Sequence, residues 1–178
     1  MAENPADHKL ANTFNFVVSL RKSAAAASGL SGTAQAPAPD PGTLLVDGGF
    51  QECQGLEVEM DVQELLEGGR NDGVIRRVGR GKYTNIILKR GMFYSSGNKV
   101  SPELWAWLQG ILAGQRPVPR YDGTVQAMSA DGQTVLATWT FDRGLPAKIS
   151  GPQLNAKSGE IAIEELHIAH EGLRLATT

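Results

Sequence analysis

Residues 49–91 constrain the fold most, because they carry two strand-like segments around a Gly- and Arg-rich connection. Leu56, Val58, Met60 and Val62 alternate with Glu57, Glu59 and Asp61. A period of two sets one apolar face against one acidic face, the pattern of a half-buried strand. Residues 84–90 repeat the pattern, with Ile86 and Leu88 on one side. Between them, residues 68–81 hold Gly68, Gly69, Gly73, Gly79 and Gly81, a density that reads as a loop permitting positive φ and close backbone approach. The charges are also sorted. Residues 52–67 carry only acids, Glu52, Glu57, Glu59, Asp61, Glu64 and Glu67. Residues 70–90 carry Arg70, Arg76, Arg77, Arg80, Lys82, Lys89 and Arg90 against Asp72 alone. The favoured reading of charge by itself is that the two strands pair and neutralise each other within one molecule. The competing reading is that copies stack head to tail, acidic surface on basic surface.

The rest of the chain is read against this centre. Phe14, Phe16, Val18 and Leu20 give a first strand. Residues 23–42 are small, low in complexity and rich in Pro and Gly, which predicts a flexible insertion within one 178-residue domain rather than a boundary. One helix is predicted from Pro102 to about Ala113, with Ser101 as N-cap, Pro102 in the first turn and Gly114 as the C-terminal stop. Leu104, Trp105, Leu108, Ile111 and Leu112 form its apolar stripe. Val125, Ala127 and Ser129 lead into a hairpin dipeptide, Asp131-Gly132, and Val135, Ala137, Trp139 and Phe141 return on the inward face. Ile161 and Ile163 differ in parity from Leu166 and Ile168, so a bulge is expected near Glu164 and Glu165. The expected core joins Val135, Ala137, Trp139 and Phe141 to Leu56, Val58 and Met60, under Leu104, Leu108 and Ile111.

Composition removes several classes of function. A net charge of −2 gives no overall electrostatic case for nucleic acid or membrane surfaces. The single Cys53 excludes an internal disulfide and is read as a packed, inert thiol. The polar N-terminus does not read as a secretory signal, and no run is long enough to span a bilayer. His167 and His170 sit among Glu164, Glu165 and Glu171. On a strand, however, positions three apart face opposite sides, which argues against a shared metal. There is no Gly-x-Ser-x-Gly elbow, and Gly81-Lys82 lacks the rest of a phosphate loop. Glu57 and Glu59 suit a wet strand face better than an acid–base pair, and Trp105 and Trp107 suit core and flank better than a ligand box. No catalytic, cofactor-binding or metal-binding residue emerges.

Five segments in order do carry a resemblance. Phe50-x-x-Cys53-x-Gly55-Leu56-Glu57-x-Glu59, Glu67-Gly68-Gly69-x-Asn71-Asp72 and Gly79-Arg80-x-Lys82-Tyr83-x-Asn85-Ile86-x-Leu88-Lys89-Arg90-Gly91 come first. Glu103-Leu104-Trp105-x-Trp107 follows, and then a closing region with Gly151-Pro152-x-Leu154-Asn155-Ala156, residues 160–164 and His170-Glu171-Gly172-Leu173. Together they resemble the inner tube proteins of phage-tail-like contractile injection systems. Leu65-Leu66, Val78 and the insertion at residues 23–42 depart from the family's usual pattern.

The resemblance implies a mainly β fold, a small β-barrel or two packed antiparallel sheets with one α-helix. It implies a structural role without enzyme activity or cofactor, in hexameric rings stacked into a hollow tube inside a sheath. The implied partners are further copies of the chain, a contractile sheath protein, spike or baseplate hub proteins, and cargo in the lumen. Neither specific nucleic-acid binding nor membrane insertion is implied. The implied place is the cytoplasm during assembly and then a phage-tail-like particle. An initiator or adaptor ring between tube and spike shares these motifs and stays open, as, from other classes, do a monomeric ligand-binding module and an enzyme. With the charge sorting, the expected inter-subunit contacts are Arg70, Asn71, Asp72, Arg76, Arg77, Arg80, Lys82, Tyr83, Glu57 and Glu59.

Overall fold

The computed structural model describes residues 11, 13–23, 44–66, 73–94, 100–157 and 159–176. The insertion expected at residues 23–42 lies outside them, apart from Ser23. Among the described residues there are ten strands and one helix: β1 Phe16–Lys22, β2 Leu44–Gly48, β3 Glu52–Gln54, β4 Val58–Leu65, β5 Ile75–Tyr83, β6 Ile86–Gly91, α1 Glu103–Leu112, β7 Tyr121–Met128, β8 Val135–Ser150, β9 Ile163–Ala169 and β10 Gly172–Ala176.

The sixteen-residue β8 organises the rest. Its first half pairs with β7 on one side and β10 on the other, and β7 continues to β1 and β2. Its second half pairs with β9, which continues to β6 and β3. One strand thus serves two antiparallel sheets. The path β2-β1-β7-β8-β9-β6-β3 has open ends, so the arrangement is two packed sheets and not a closed barrel.

The direction change in β8 comes at Arg143, whose φ of 54° places a non-glycine residue in the left-handed region. That conformation costs about 1–2 kcal/mol, and local bonds offset it. The Arg143 backbone N–H donates to Asp122 Oδ1 at 2.8 Å and its Nε donates to Glu171 Oε2 at 2.8 Å. Arg120 Nη1 bonds both the Arg143 carbonyl at 3.0 Å and Glu171 Oε1 at 2.8 Å.

The core fills the angle between the sheets. Val18 and Leu20 of β1, Val125 of β7 and Phe141 of β8 face Ile86 and Leu88 of β6 and Leu166 and Ile168 of β9. Register explains the choice, since Leu20 opposes Gly123 and Gly123 opposes Phe141. A Cβ on Gly123 would stand 2.0 Å from the Phe141 ring, so glycine there makes the room that the ring fills. Trp139 packs against this core half-buried, and Val135 and Ala137 are half-buried too.

Several expectations are corrected. Val58 and Met60 are exposed and lie outside the core, because among the described residues β4 pairs only with β5, in a separate two-stranded sheet. Residues 75–81 are strand and not loop. Gly79 and Gly81 there do not have positive φ; Gly79 instead lets Asp61 approach, whose carbonyl oxygen would be 2.5 Å from a Cβ. The helix starts at Glu103 with Pro102 at the N-cap position and no side-chain cap, one residue later than expected, while Gly114 has the expected φ of 90°. Its buried residues are Leu104 and Trp107, with Leu112 in solvent. Residues 129–134 form a loop longer than a two-residue turn, in which Asp131 Oδ1 accepts from the Gln133 N–H at 3.1 Å.

The expected bulge at Glu164 is absent. The β6–β9 register runs unbroken from Ile86 opposite Ile168 to Gly91 opposite Ile163. Parity changes because Ile161 lies before the strand and is exposed, while Glu164 takes the inward position beside Arg90. Glu164 is 1% exposed. Its carboxylate accepts from Arg90 Nε at 2.6 Å and from Trp105 Nε1 at 3.0 Å, which binds the helix to both central strands of that sheet. A buried charge persists only when paired and hydrogen-bonded. Glu164→Ala leaves Arg90 without its partner and is expected to lower unfolding free energy by about 3–5 kcal/mol. Denaturant titration measures this. A loss below about 1 kcal/mol would show that solvent reaches Arg90 freely.

Candidate assembly interface

The β4–β5 hairpin is an arm. Its register pairs Val58 with Tyr83, Met60 with Gly81, Val62 with Val78 and Leu65 with Ile75, and shifts by one residue between Met60 and Val62. Counting along both strands places the extra residue in β5, where Gly79 and Arg80 oppose Asp61. The faces follow from this. One carries Val58, Met60, Val62, Val78 and Tyr83, with exposures of 63%, 56%, 59%, 76% and 43%, and ends on the Glu64–Arg76 pair. The other carries Glu59, Asp61, Gln63, Lys82 and Arg77. An isolated two-stranded sheet is at best marginal in water, and here its apolar face is bare. The alternation that suggested a core strand is real, but none of the described residues covers its apolar side.

On the charged face Lys82 Nζ meets Asp61 Oδ1 at 2.7 Å. The hydrogen bond and charge of Asp61, with a smaller effect from Glu59, raise the Lys82 pKa above its ordinary value. Arg76 Nε stands 3.6 Å from Glu64 Oε1, with both groups largely in solvent. The strands therefore do pair and partly neutralise each other within one molecule. Among the described residues, Arg77, Arg80 and Glu57 form no ion pair, and Arg77 stands opposite Gln63. Arg70, Asn71 and Asp72 lie outside the described residues. Of the expected contacts, Glu59, Arg76, Arg77, Arg80, Lys82 and Tyr83 are brought onto the arm, and Glu57 lies just before its base.

The base is built from backbone. Gly55 has φ of 85°, and a Cβ there would lie 2.0 Å from the Asn85 carbonyl oxygen. Thr84 Oγ1 donates to the Gly55 carbonyl at 3.2 Å. The His170 ring contacts the Thr84 carbonyl through Nε2 and the Gly172 carbonyl through Nδ1, each at 3.0 Å, and lies 5.4 Å from the Tyr83 ring. Beside this base an open cleft of about 730 Å³ is lined by Gln54, Gly55, Glu57, Tyr83, Thr84, Asn85, Ile87 and His167. His167 Nε2 contacts Glu165 at 2.5 Å, which depresses that carboxyl's pKa. The two histidines thus have separate partners. Among the described residues no group of three or more His, Cys, Asp and Glu is placed to hold a metal ion. Cys53 packs against the core, and burial pushes its thiol to about 11. The sequence reading missed the roles of Gly55 and His170. The glycine of the Gly-Leu-Glu run was the available signal, since a glycine between two strand patterns marks close backbone approach.

A profile for a protein family matches residues 12–174 and is described as T4-like virus tail tube protein gp19. The chain belongs to that tail tube family. Solved structures share the family member's fold. A chain in the sheath–tube complex of an extracellular contractile injection system, PVC, in the extended state, superposes with a TM-score of 0.73 at 20% identity, covering 99% of this chain and 100% of that one. A chain in the baseplate of the anti-feeding prophage gives 0.72 at 19%, covering 95% and 97%. A chain in the PVC sheath/tube terminator gives 0.70 at 22%, covering 97% and 100%. No curated protein sequence matches significantly. No helix among the described residues is long and apolar enough to cross a membrane.

Two outcomes test this geometry. Gly55→Ala should destabilise the tail tube family member by more than 1 kcal/mol, the cost of a side chain forced into positive φ, with the clash on Asn85 added; an unchanged melting curve would refute the close approach. Cys53 should resist alkylation at pH 8 in the native state and react fast once unfolded, because reactivity follows the thiolate fraction; equal rates would contradict its packing.

Proposed function

We propose that this chain is the inner tube subunit of a contractile injection particle, six copies closing head to tail into a ring and rings stacking into a tube. The observation that carries the reading is the arm. It is a hairpin with a bare apolar face, held among the described residues only at its base, and it gains stability when a neighbouring copy covers it.

The sheet edges support ring formation. Strands β1, β7 and the first half of β8 are flanked by β2 and β10, which stand at opposite ends of a five-stranded sheet. Every pairing across it is antiparallel, so β2 and β10 run in the same direction. A rotation axis lying along the strands brings β10 of one copy beside β2 of the next as a parallel pair, and repetition closes the ring. The second sheet and α1 cover one face of this sheet. They need the larger radius, so the other face lines the lumen. The role is structural and involves no bond-breaking chemistry.

Val62→Asp with Val78→Asp should prevent the arm from docking, and negative-stain microscopy should show monomers or isolated rings in place of tubes. Arg76→Glu with Arg77→Glu should weaken stacking and leave rings intact, with the salt sensitivity of an exposed polar contact. Normal tubes from all these variants would remove the arm from the interface. Wild-type protein that stops at a single ring would favour the initiator or adaptor role. Compact monomers under every condition would overturn assembly altogether.

A further inference from the structure

The sheet of β6 and β9 has two ends, and both carry bare apolar side chains. At one end β6 begins, β9 finishes and the arm leaves. His170 ties that end to the start of β10, since its ring contacts both the Thr84 and the Gly172 carbonyl. The other end lies the length of β6 away, about 20 Å for six residues. There the chain leaves β6 through Met92, whose N–H donates to the Ala162 carbonyl at 2.8 Å, and Tyr94 bridges to Val100 shortly before α1. Phe93, Tyr94 and Ile161 stand at this end, each more than half exposed. Trp105 of α1 bonds Glu164 at the start of β9, and α1 also packs against β2. The arm therefore sits on the β10 side of the molecule and the Phe93 patch on the β2 side.

Resting on the ring reading, we propose that Phe93, Tyr94 and Ile161 are the socket for the apolar face of the arm of the adjacent copy in the same ring. Setting β10 of one copy beside β2 of the next carries the arm across the joint, toward the end of the neighbour's sheet that bears these three side chains. The chemistry of the two faces matches. Val58, Val62 and Val78 offer aliphatic surface, Met60 offers a thioether, which packs well on aromatic edges, and the socket supplies two rings. An aromatic side chain removes about 150–250 Å² from water when buried. Two rings and one isoleucine thus fall well short of the about 800 Å² per partner of a standard interface. The socket holds only in company with the β10–β2 pairing, and each contact reinforces the other. A copy joined by its sheet edge alone would leave two apolar faces wet. Seating the apolar face within the ring leaves the other face of the arm, with Asp61, Lys82 and Arg77, turned toward the next ring.

Val62→Cys combined with Ile161→Cys tests the pairing in assembled full-length protein under mild oxidation, read on a denaturing gel without reductant. A disulfide forms only where the two Cα atoms come within about 7 Å. Native Cys53 is packed against the core, and each single variant reports the background. The double variant should lose its monomer band to a ladder that stops at one closed ring, because a contact within the ring joins each copy to the next and then returns to the first. Met60→Cys with Tyr94→Cys repeats the test one position away. Crosslinked chains that grow past a single ring would overturn the inference, since the arm would then dock on the next ring. Intact rings in which neither pair crosslinks would place the socket elsewhere and overturn it while leaving assembly standing. A second test needs no cysteine. Phe93→Asp keeps its arm, and Val62→Asp with Val78→Asp keeps its socket. Each alone should fail to close rings, and an equal mixture should give dimers, since one intact arm then meets one intact socket. Normal rings from Phe93→Asp, or a mixture that behaves as its separate components do, would equally overturn the inference. Wild-type protein that forms no rings would remove the ring reading and this inference together.

Discussion

The corner of β8 is the constraint on which the rest depends. A strand of this length in a flat sheet would expose one whole face. Bent at Arg143, it contributes Phe141 to one layer and Pro146 and Ile149 to the other, so one covalent element holds the layers at the separation the core needs. The bend is sustained by Arg120 and Asp122, at the entry to β7, and by Glu171, just before β10. Because those bonds are non-local, the corner forms only after the strands have found their register. That makes the native pairing cooperative: a misregistered β7 places no carboxylate at the Arg143 amide.

The buried Arg90–Glu164 pair plays a different part. A salt bridge in a dry site contributes little net stability relative to apolar residues of similar size. Its value is positional. Glu164 accepts from Trp105 as well as Arg90, so the helix has one azimuth in which its indole N–H finds a partner. Trp107, on the neighbouring stripe, then donates to the Pro119 carbonyl at 2.9 Å and packs edge-on to Tyr121. The paired tryptophans of the Glu-Leu-Trp-x-Trp run are two ends of one alignment device, one reaching each side of the sandwich.

Much of this was legible in the sequence. Strict alternation in β1 and β6 placed Val18, Leu20, Ile86 and Leu88 inward because both strands are half-buried and period two is then unambiguous. The helix was legible from its stop at Gly114 and its apolar spacing. The family was legible because its motifs fall where backbone demands are severe: Gly55, Asn85 and the His170–Gly172 turn all sit at the arm's base. What was not legible shares one cause. Alternation reports that a face is apolar, not what covers it. Val58, Met60 and Val62 are not covered by the described core, and a single sequence carries no mark distinguishing these cases. Glu164 hid for the complementary reason, since a charged side chain on an inward position looks like a break in the pattern until its partners are known. The candidate contacts were half legible: charge sorting located the arm, but register within it joins Lys82 to Asp61 and leaves Arg77 opposite an amide.

In the proposed ring, the common direction of β2 and β10 has a consequence for growth. A ring closed by parallel edges contains no two-fold axis perpendicular to its own, so its upper and lower surfaces are different objects. A stack of such rings is a polar filament with a plus end and a minus end. A nucleating assembly needs to recognise only one of them, and a terminating assembly only the other. Length can then be controlled from one end while the other stays anchored, and the two ends never compete for the same capping protein.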